Sequence, residues 1–171
     1  MIRLAKPSDI PLLVKAFKLA NWEKSVEIFE QYLQEQIAQN RKMWVAFFDE
    51  QIAGYITLKF NSEYKNFTKS NIPEISDLNI LPQYRNKGLG TSLLNYAETE
   101  AKKHSKIIGL GVGLYKDYGA AQKLYIKRGY IPDGNGVTYN YQNVAPGSQV
   151  NLDDDLILWL VKTCDNMFAN S

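Results

Sequence analysis

The sequence predicts a mixed α/β (α+β) fold, a sheet with helices packed on it. Short apolar runs with strand spacing alternate with amphipathic helical segments from end to end. No internal repeat, low-complexity tract or linker interrupts them, so 171 residues are expected to form a single domain, 1–171, around its own core.

Ile2–Lys6 reads as a first strand. Ser8-Asp9 offers an N-cap and Pro11 a first-turn proline for a helix whose face carries Ile10, Leu13, Val14 and Phe17. A second helix has Val26, Phe29, Leu33 and Ile37 on one face. The break between them, Ala20–Lys24, contains Trp22, which either packs or serves as a lid. Met43–Phe48 and Ile52–Phe60 form a hairpin around Asp49-Glu50-Gln51, and Asn61–Ile72 has no period and reads as a loop.

Ile75–Leu81 is the next strand, stopped by Pro82. The helix Thr91–His104 follows, with Leu93, Leu94, Ala97 and Ala101 inward and an i,i+4 pair, Glu98 and Lys102, on its polar face. Lys106–Leu114 is a strand in which Gly109, Gly111 and Gly113 signal close backbone approach or a bulge. Gly119–Arg128 is a helix closed by Gly129, with Ala121, Leu124 and Tyr125 inward. Tyr130–Tyr141 and Leu152–Val161 are the last strands, joined by the loop Gln142–Asn151.

Composition narrows the function. Hydrophobic residues make up 45% and charged residues 22%, as in ordinary soluble domains. Twenty basic against eighteen acidic side chains give a net charge of +2, which leaves no footprint for nucleic acid. One cysteine, Cys164, rules out an internal disulfide, and one histidine, His104, rules out schemes that need two. No run of eighteen apolar residues and no apolar signal core occur, so no membrane partner is expected and a cytoplasmic location is the default.

The chemistry concentrates in Leu81-Pro82-Gln83-Tyr84-Arg85-Asn86-Lys87-Gly88-Leu89-Gly90-Thr91, between a strand and a helix. A helix N-terminus presents unpaired N–H groups and partial positive charge, and glycines let a phosphate approach. Arg85 and Lys87 add charge. The segment is neither a Walker loop nor a dinucleotide fingerprint, because the third glycine of the latter is replaced by Leu93. Taken alone, it is either an anion site or a tight turn with solvated charges.

Two further segments discriminate. Arg85-Asn86-Lys87-Gly88-Leu89-Gly90 resembles the Gln/Arg-x-x-Gly-x-Gly/Ala motif of the GNAT acetyltransferase superfamily. Ile75–Pro82 resembles that family's central strand, and Ala120–Tyr130 its second motif, an Ala-x-x-x-Tyr helix closed by Gly and an aromatic. The resemblance spans roughly residues 1 to 131. It implies a mostly antiparallel sheet with a splayed central strand pair, flanked by about four helices. It also implies acetyl-CoA as cosubstrate and no metal.

By resemblance, backbone groups of Leu78, Asn79 and Ile80 bind the pantetheine arm as an added strand would. Arg85, Asn86, Lys87, Gly88, Leu89, Gly90 and Thr91 cradle the pyrophosphate. Tyr125 points its hydroxyl at the thioester sulfur. One position departs from the pattern: where the family often has Asn, three residues before Ala121, stands Tyr118, which either stacks on the cofactor arm or caps the helix.

Transfer to an amine needs a neutral nucleophile, a stabilised oxyanion and a protonated leaving thiolate. Glu74 matches the base position of some family members; its alternative is an exposed strand-end charge. Asp77 is either a second candidate base or structural, and strand alternation sets the two on opposite sides unless a bulge intervenes. Tyr125 is the candidate acid or else a core tyrosine. His104 reads as a helix-end surface residue, Cys164 lies outside every motif, and Lys102, Lys103 and Lys106 read as a solvated helix end.

The expected acceptor is a small-molecule amine. Its walls would come from Ala20–Lys24, Asn61–Ile72 and Tyr139–Asn151, with Trp22, Tyr64, Phe67, Tyr139 and Tyr141. An acyl-CoA sensor and a peptide or protein N-acetyltransferase are the alternatives. A homodimer is compatible with the sequence.

Overall fold

The computed structural model describes residues 1–164. They fall into two compact units: residues 1–60 with 75–100, and residues 61–74 with those from 101 onward.

In the first unit the strand order is β1 (Ile2–Leu4), β2 (Arg41–Phe48), β3 (Gln51–Lys59), β4 (Glu74–Ile80), with the first residue of β4 assigned to the second unit. β1 pairs antiparallel with β2, Ile2 opposite Ala46. β2 and β3 form the expected hairpin, turned by Asp49 and Glu50, both at left-handed φ. The Leu81 N–H donates to the Ala53 carbonyl at 2.9 Å, extending the pairing of β3 with β4. α1 (Ile10–Leu19) and α2 (Val26–Ile37) supply Leu13, Phe17, Phe29 and Leu33 to a core with Met43, Val45, Phe47 and Tyr55. Val26 and Ile37, expected on the buried face of α2, are exposed, because they occupy its end turns.

The start of α1 differs from the expected cap. A 3-10 turn over Pro7–Asp9 precedes the helix. The Asp9 carboxylate turns back to accept from both Arg3 guanidinium nitrogens, each at 2.7 Å, and from the Lys6 N–H at 2.8 Å. Ser25 does cap α2, accepting from the Ile28 N–H at 3.4 Å.

In the second unit the order is β5 (Ile107–Gly113), β8 (Leu156–Thr163), β6 (Ile131–Tyr139), β7 (Gln142–Asn143), every pairing antiparallel. Asn61–Ile72 is not the loop expected. It contains α3 (Lys65–Lys69), a helix beyond the four anticipated. Tyr64 and Phe67 are buried around Trp159, Tyr64 stacked on the indole at 4.2 Å between centroids. The expected close backbone approach at Gly109 is real: a Cβ there would lie 2.1 Å from the Phe67 ring. β8 begins four residues later than expected. Asp153, Asp154 and Asp155 hold a turn instead, with Asp153 accepting from the Asp155 N–H at 3.0 Å.

α4 (Leu89–Ala101) and α5 (Gly119–Lys127) follow their sequence patterns. Leu93, Leu94, Ala97 and Ala101 are fully buried. Glu98 is buried as well, contrary to its placement on a polar face. It lies one turn beyond Leu94 and so shares that residue's face. Gly129 ends α5 at φ +89, as a left-handed C-cap should.

Candidate active site

β4 leads through Leu81 and a 3-10 turn, Pro82–Tyr84, into the loop that opens α4. Asn86 takes φ 59 and Gly88 φ 76, two left-handed residues that reverse the chain before the first helical turn. The Ser92 N–H donates to the Gly88 carbonyl at 3.0 Å, so helical bonding starts there. The amides before it belong to the helix end, where donors lack intrahelical acceptors.

Arg85, Asn86, Lys87, Gly88 and Thr91 are exposed, and Leu89 and Gly90 half-buried. The Arg85 guanidinium lies 5.3 Å from the centre of the Trp22 ring, and its Nε donates to the Ile80 carbonyl at 3.3 Å. The Lys87 ammonium lies 4.1 Å from the centre of the Phe48 ring. Trp22 is itself stacked on Phe17, centroids 6.0 Å apart, so it packs and also meets the anion loop. Two exposed cations held on ring faces, a left-handed turn and a helix end make a fit receptor for a phosphate chain.

Upstream, Leu78, Asn79 and Ile80 are half-buried. Asp77, just before them, takes φ 54, an uncommon value for a strand residue other than glycine. This breaks the strand's regular alternation. The Asp77 carboxylate accepts from the Tyr55 hydroxyl at 2.7 Å, the Tyr32 hydroxyl at 2.8 Å, the Asn79 amide at 3.0 Å and the Lys24 ammonium at 3.1 Å. Burial opposes its charge, but the Lys24 ammonium and the two phenols outweigh burial and hold Asp77 below the usual carboxylate range.

Glu74 is not an exposed strand-end charge. It is buried, and the Ser62 hydroxyl donates to it at 2.5 Å. Tyr125 is buried on the inner face of α5, edge-on to Tyr130 at 6.0 Å, and burial pushes its hydroxyl up to about 12. It therefore carries its proton at neutral pH.

Tyr118 stands at the N-cap of α5 without a side-chain capping bond. Its hydroxyl donates to Asp154 at 2.8 Å, its ring fills the space where a Gly113 Cβ would be, and the Tyr115 hydroxyl donates to the same carboxylate. Of the aromatics expected to wall an acceptor site, Tyr64 and Phe67 are core residues of the second unit. Tyr139 donates to Asp153 at 2.8 Å, and Tyr141 is tilted over Trp159. His104, Lys102, Lys103 and Lys106 are exposed and Cys164 is buried. Among the described residues no cluster of three His, Cys, Asp or Glu side chains could hold a metal ion, and no helix is long and apolar enough to cross a membrane.

The profile of the acetyltransferase (GNAT) family matches residues 12–130. The chain belongs to that family. Probable N-acetyltransferase 14 of Xenopus tropicalis is 30% identical over 122 residues, covering 64% of this chain and 55% of its own length. The chain thus spans about half the length of that curated relative. Among solved structures, the ribosomal-protein-alanine N-acetyltransferase of Brucella melitensis superposes with a TM-score of 0.68 at 20% identity, over 95% of this chain and 99% of that one. The structure of yncA from Salmonella typhimurium, with its cofactor acetyl-CoA, superposes with a TM-score of 0.68 at 15% identity, over 100% and 97%. Both share the GNAT fold with this chain.

Within this GNAT chain, sequence reasoning singled out the loop Arg85–Thr91 but missed what surrounds Asp77. Tyr32, Tyr55 and Arg41 carried no motif. Arg41 is buried beneath Tyr32, 4.1 Å from its ring centre, and donates to Glu35 at 2.5 Å and to Thr57 at 2.7 Å. A basic residue opening a strand, with hydroxyl residues across the hairpin, was the available signal.

Proposed function

We propose that this chain is an N-acetyltransferase that moves the acetyl group of acetyl-CoA to a small primary amine by direct attack in a ternary complex. The observation that carries this is the left-handed turn at Asn86 and Gly88, which delivers Arg85 and Lys87 to the N-terminus of α4. Such a terminus suits the pyrophosphate of coenzyme A. Family membership and the acetyl-CoA in the yncA structure support the choice of that anion.

In this reading Arg85–Thr91 cradles the pyrophosphate, and backbone groups of Leu78, Asn79 and Ile80 hold the pantetheine arm in extended form. Tyr118 meets the cofactor through its ring. Glu74 takes a proton from the acceptor ammonium, so that the nitrogen lone pair attacks the thioester carbon. The tetrahedral oxyanion collapses, the C–S bond breaks, and the thiolate takes its proton from the Tyr125 hydroxyl, while the surplus proton left on the attacking nitrogen replaces the one Tyr125 gave up. Burial keeps that hydroxyl protonated through the pH range of catalysis, which supports its part as donor.

Thiol release from acetyl-CoA against a panel of amines and of peptides with free N-termini tests the reading. Amine-dependent release is expected, largest with small primary amines. Release with peptides alone would move the activity to protein N-termini, and tight acetyl-CoA binding without turnover would make the chain a sensor. Tyr125→Phe is expected to lower kcat about a hundredfold while acetyl-CoA binds unchanged; an unaltered kcat removes Tyr125 from the chemistry. Glu74→Gln should cost most below the acceptor's own pKa, where deprotonation is needed, and a pH-independent loss would argue against Glu74 as base.

A further inference from the structure

Asp77 gathers groups from well-separated parts of the first unit, and one of them differs from the rest. Tyr55 is wholly buried, its ring edge-on to Phe17 at 5.4 Å and to Phe29 at 5.3 Å. Tyr32 is held between Phe29 and the Arg41 guanidinium. Asn79 is two residues along the same strand and also donates to the Asp77 carbonyl at 3.1 Å. These three donors are fixed by packing and covalent proximity. Lys24 is different. It stands on the stretch between α1 and α2, and its side chain is 25% exposed against 21% for Asp77. It reaches the carboxylate on four flexible methylenes, with its ammonium 5.9 Å from the centre of the Tyr55 ring.

The result is an anion held by packed donors beside an aromatic face, met by one partly exposed primary ammonium. That is the chemistry which recognises an alkylammonium: a compact charge with three donors, satisfied by a carboxylate and an electron-rich ring. Asp77 also holds a strained left-handed φ immediately before Leu78, and such strain persists where the surroundings over-determine it.

We infer that Asp77, framed by Tyr32 and Tyr55, is the point that first captures the acceptor's primary ammonium, which leaves it before its proton passes to Glu74, and that Lys24 occupies this capture point until the acceptor displaces it. Lys24 is then an intramolecular competitor. The site favours primary alkylamines over alcohols, which bring no charge, and over quaternary ammonium ions, which have no donor for Asp77. This rests on the acetyl-transfer reading only for the reaction that follows binding.

The test uses n-butylamine as the probe with two variants. Lys24→Met keeps the stem and removes the charge. It is expected to lower the KM for n-butylamine at least about fivefold and leave the KM for acetyl-CoA unchanged. Asp77→Asn keeps an acceptor oxygen for the phenols, and Asn tolerates a left-handed φ, so the fold is retained. This variant is expected to raise the n-butylamine KM more than about tenfold at unchanged acetyl-CoA affinity. Calorimetric titration of n-butylammonium into Lys24→Met without acetyl-CoA separates the two ideas. Amine binding by a protein that fails to bind acetyl-CoA keeps the ammonium site and removes the transferase reading. A Lys24→Met protein whose amine KM or Kd is unchanged or higher overturns the inference, and so does an Asp77→Asn protein with the wild-type amine KM.

Discussion

The loop Arg85–Thr91 and the Asp77 cluster belong to the same strand-to-helix stretch and are built in opposite ways. The loop is contiguous in sequence, mostly exposed, and defined by its backbone conformation, with two cations resting on ring faces. The cluster draws on residues 24, 32, 55, 77 and 79, and each side chain in it has a defined partner. A backbone-built site spreads its affinity over many small terms. A side-chain-built site in a packed interior is cooperative, and removing one member strands the others.

Substitutions can sharpen or break that contrast. The largest effect is expected from Tyr55→Ala, which empties a buried ring site and removes a donor to Asp77; a loss of about 3–5 kcal/mol in urea unfolding is expected. A loss below about 1 kcal/mol would mean the cluster does not frame the first unit.

Next comes acid sensitivity. Asp77 has a folded pKa lowered below its unfolded value, so its contribution is complete above roughly pH 4 and is lost as pH falls through the lowered value. Wild-type stability should therefore fall relative to Asp77→Asn on acidification below about pH 4. Parallel curves would contradict a charged, paired Asp77. Asp9, opposed by burial but lowered by Arg3, should behave in the same direction in an Asp9→Asn comparison.

Smaller effects belong to the loop. Gly88→Ala places a Cβ at φ 76 and should cost about 1 kcal/mol of stability, although nothing lies within 4 Å to clash. Lys87→Ala should weaken acetyl-CoA binding about fivefold at low salt and less at high salt, as for an exposed charge. A salt-independent loss would point to packing on Phe48 rather than charge.

The same contrast explains what could be read beforehand. The turn into α4 was legible because its glycines and cations are written in consecutive residues, and the Asp49-Glu50 turn and the Gly129 cap were legible for the same local reason. The Asp77 cluster was not, because a left-handed aspartate inside a strand has no sequence signature and its partners lie up to 53 residues away. Glu98 misled because its charge suggested solvent, while its spacing from Leu94 placed it inward. Tyr64 and Phe67 misled because an aperiodic segment resembles a substrate loop even when its aromatics fill a core around Trp159. Glu74 gained from the structure: burial and the Ser62 bond distinguish it from a solvated strand end.

In the proposed function the N-terminus of α4 and its loop receive the pyrophosphate of acetyl-CoA. Calorimetric titration of acetyl-CoA into the wild-type protein and into Gly90→Glu tests it most directly. A glutamate in the first turn favours the helix, so the fold should persist while the new charge repels the pyrophosphate. Saturable binding to the wild type and a loss of about a hundredfold in the variant are expected. Equal affinities, or a wild-type protein that does not bind acetyl-CoA, would contradict it.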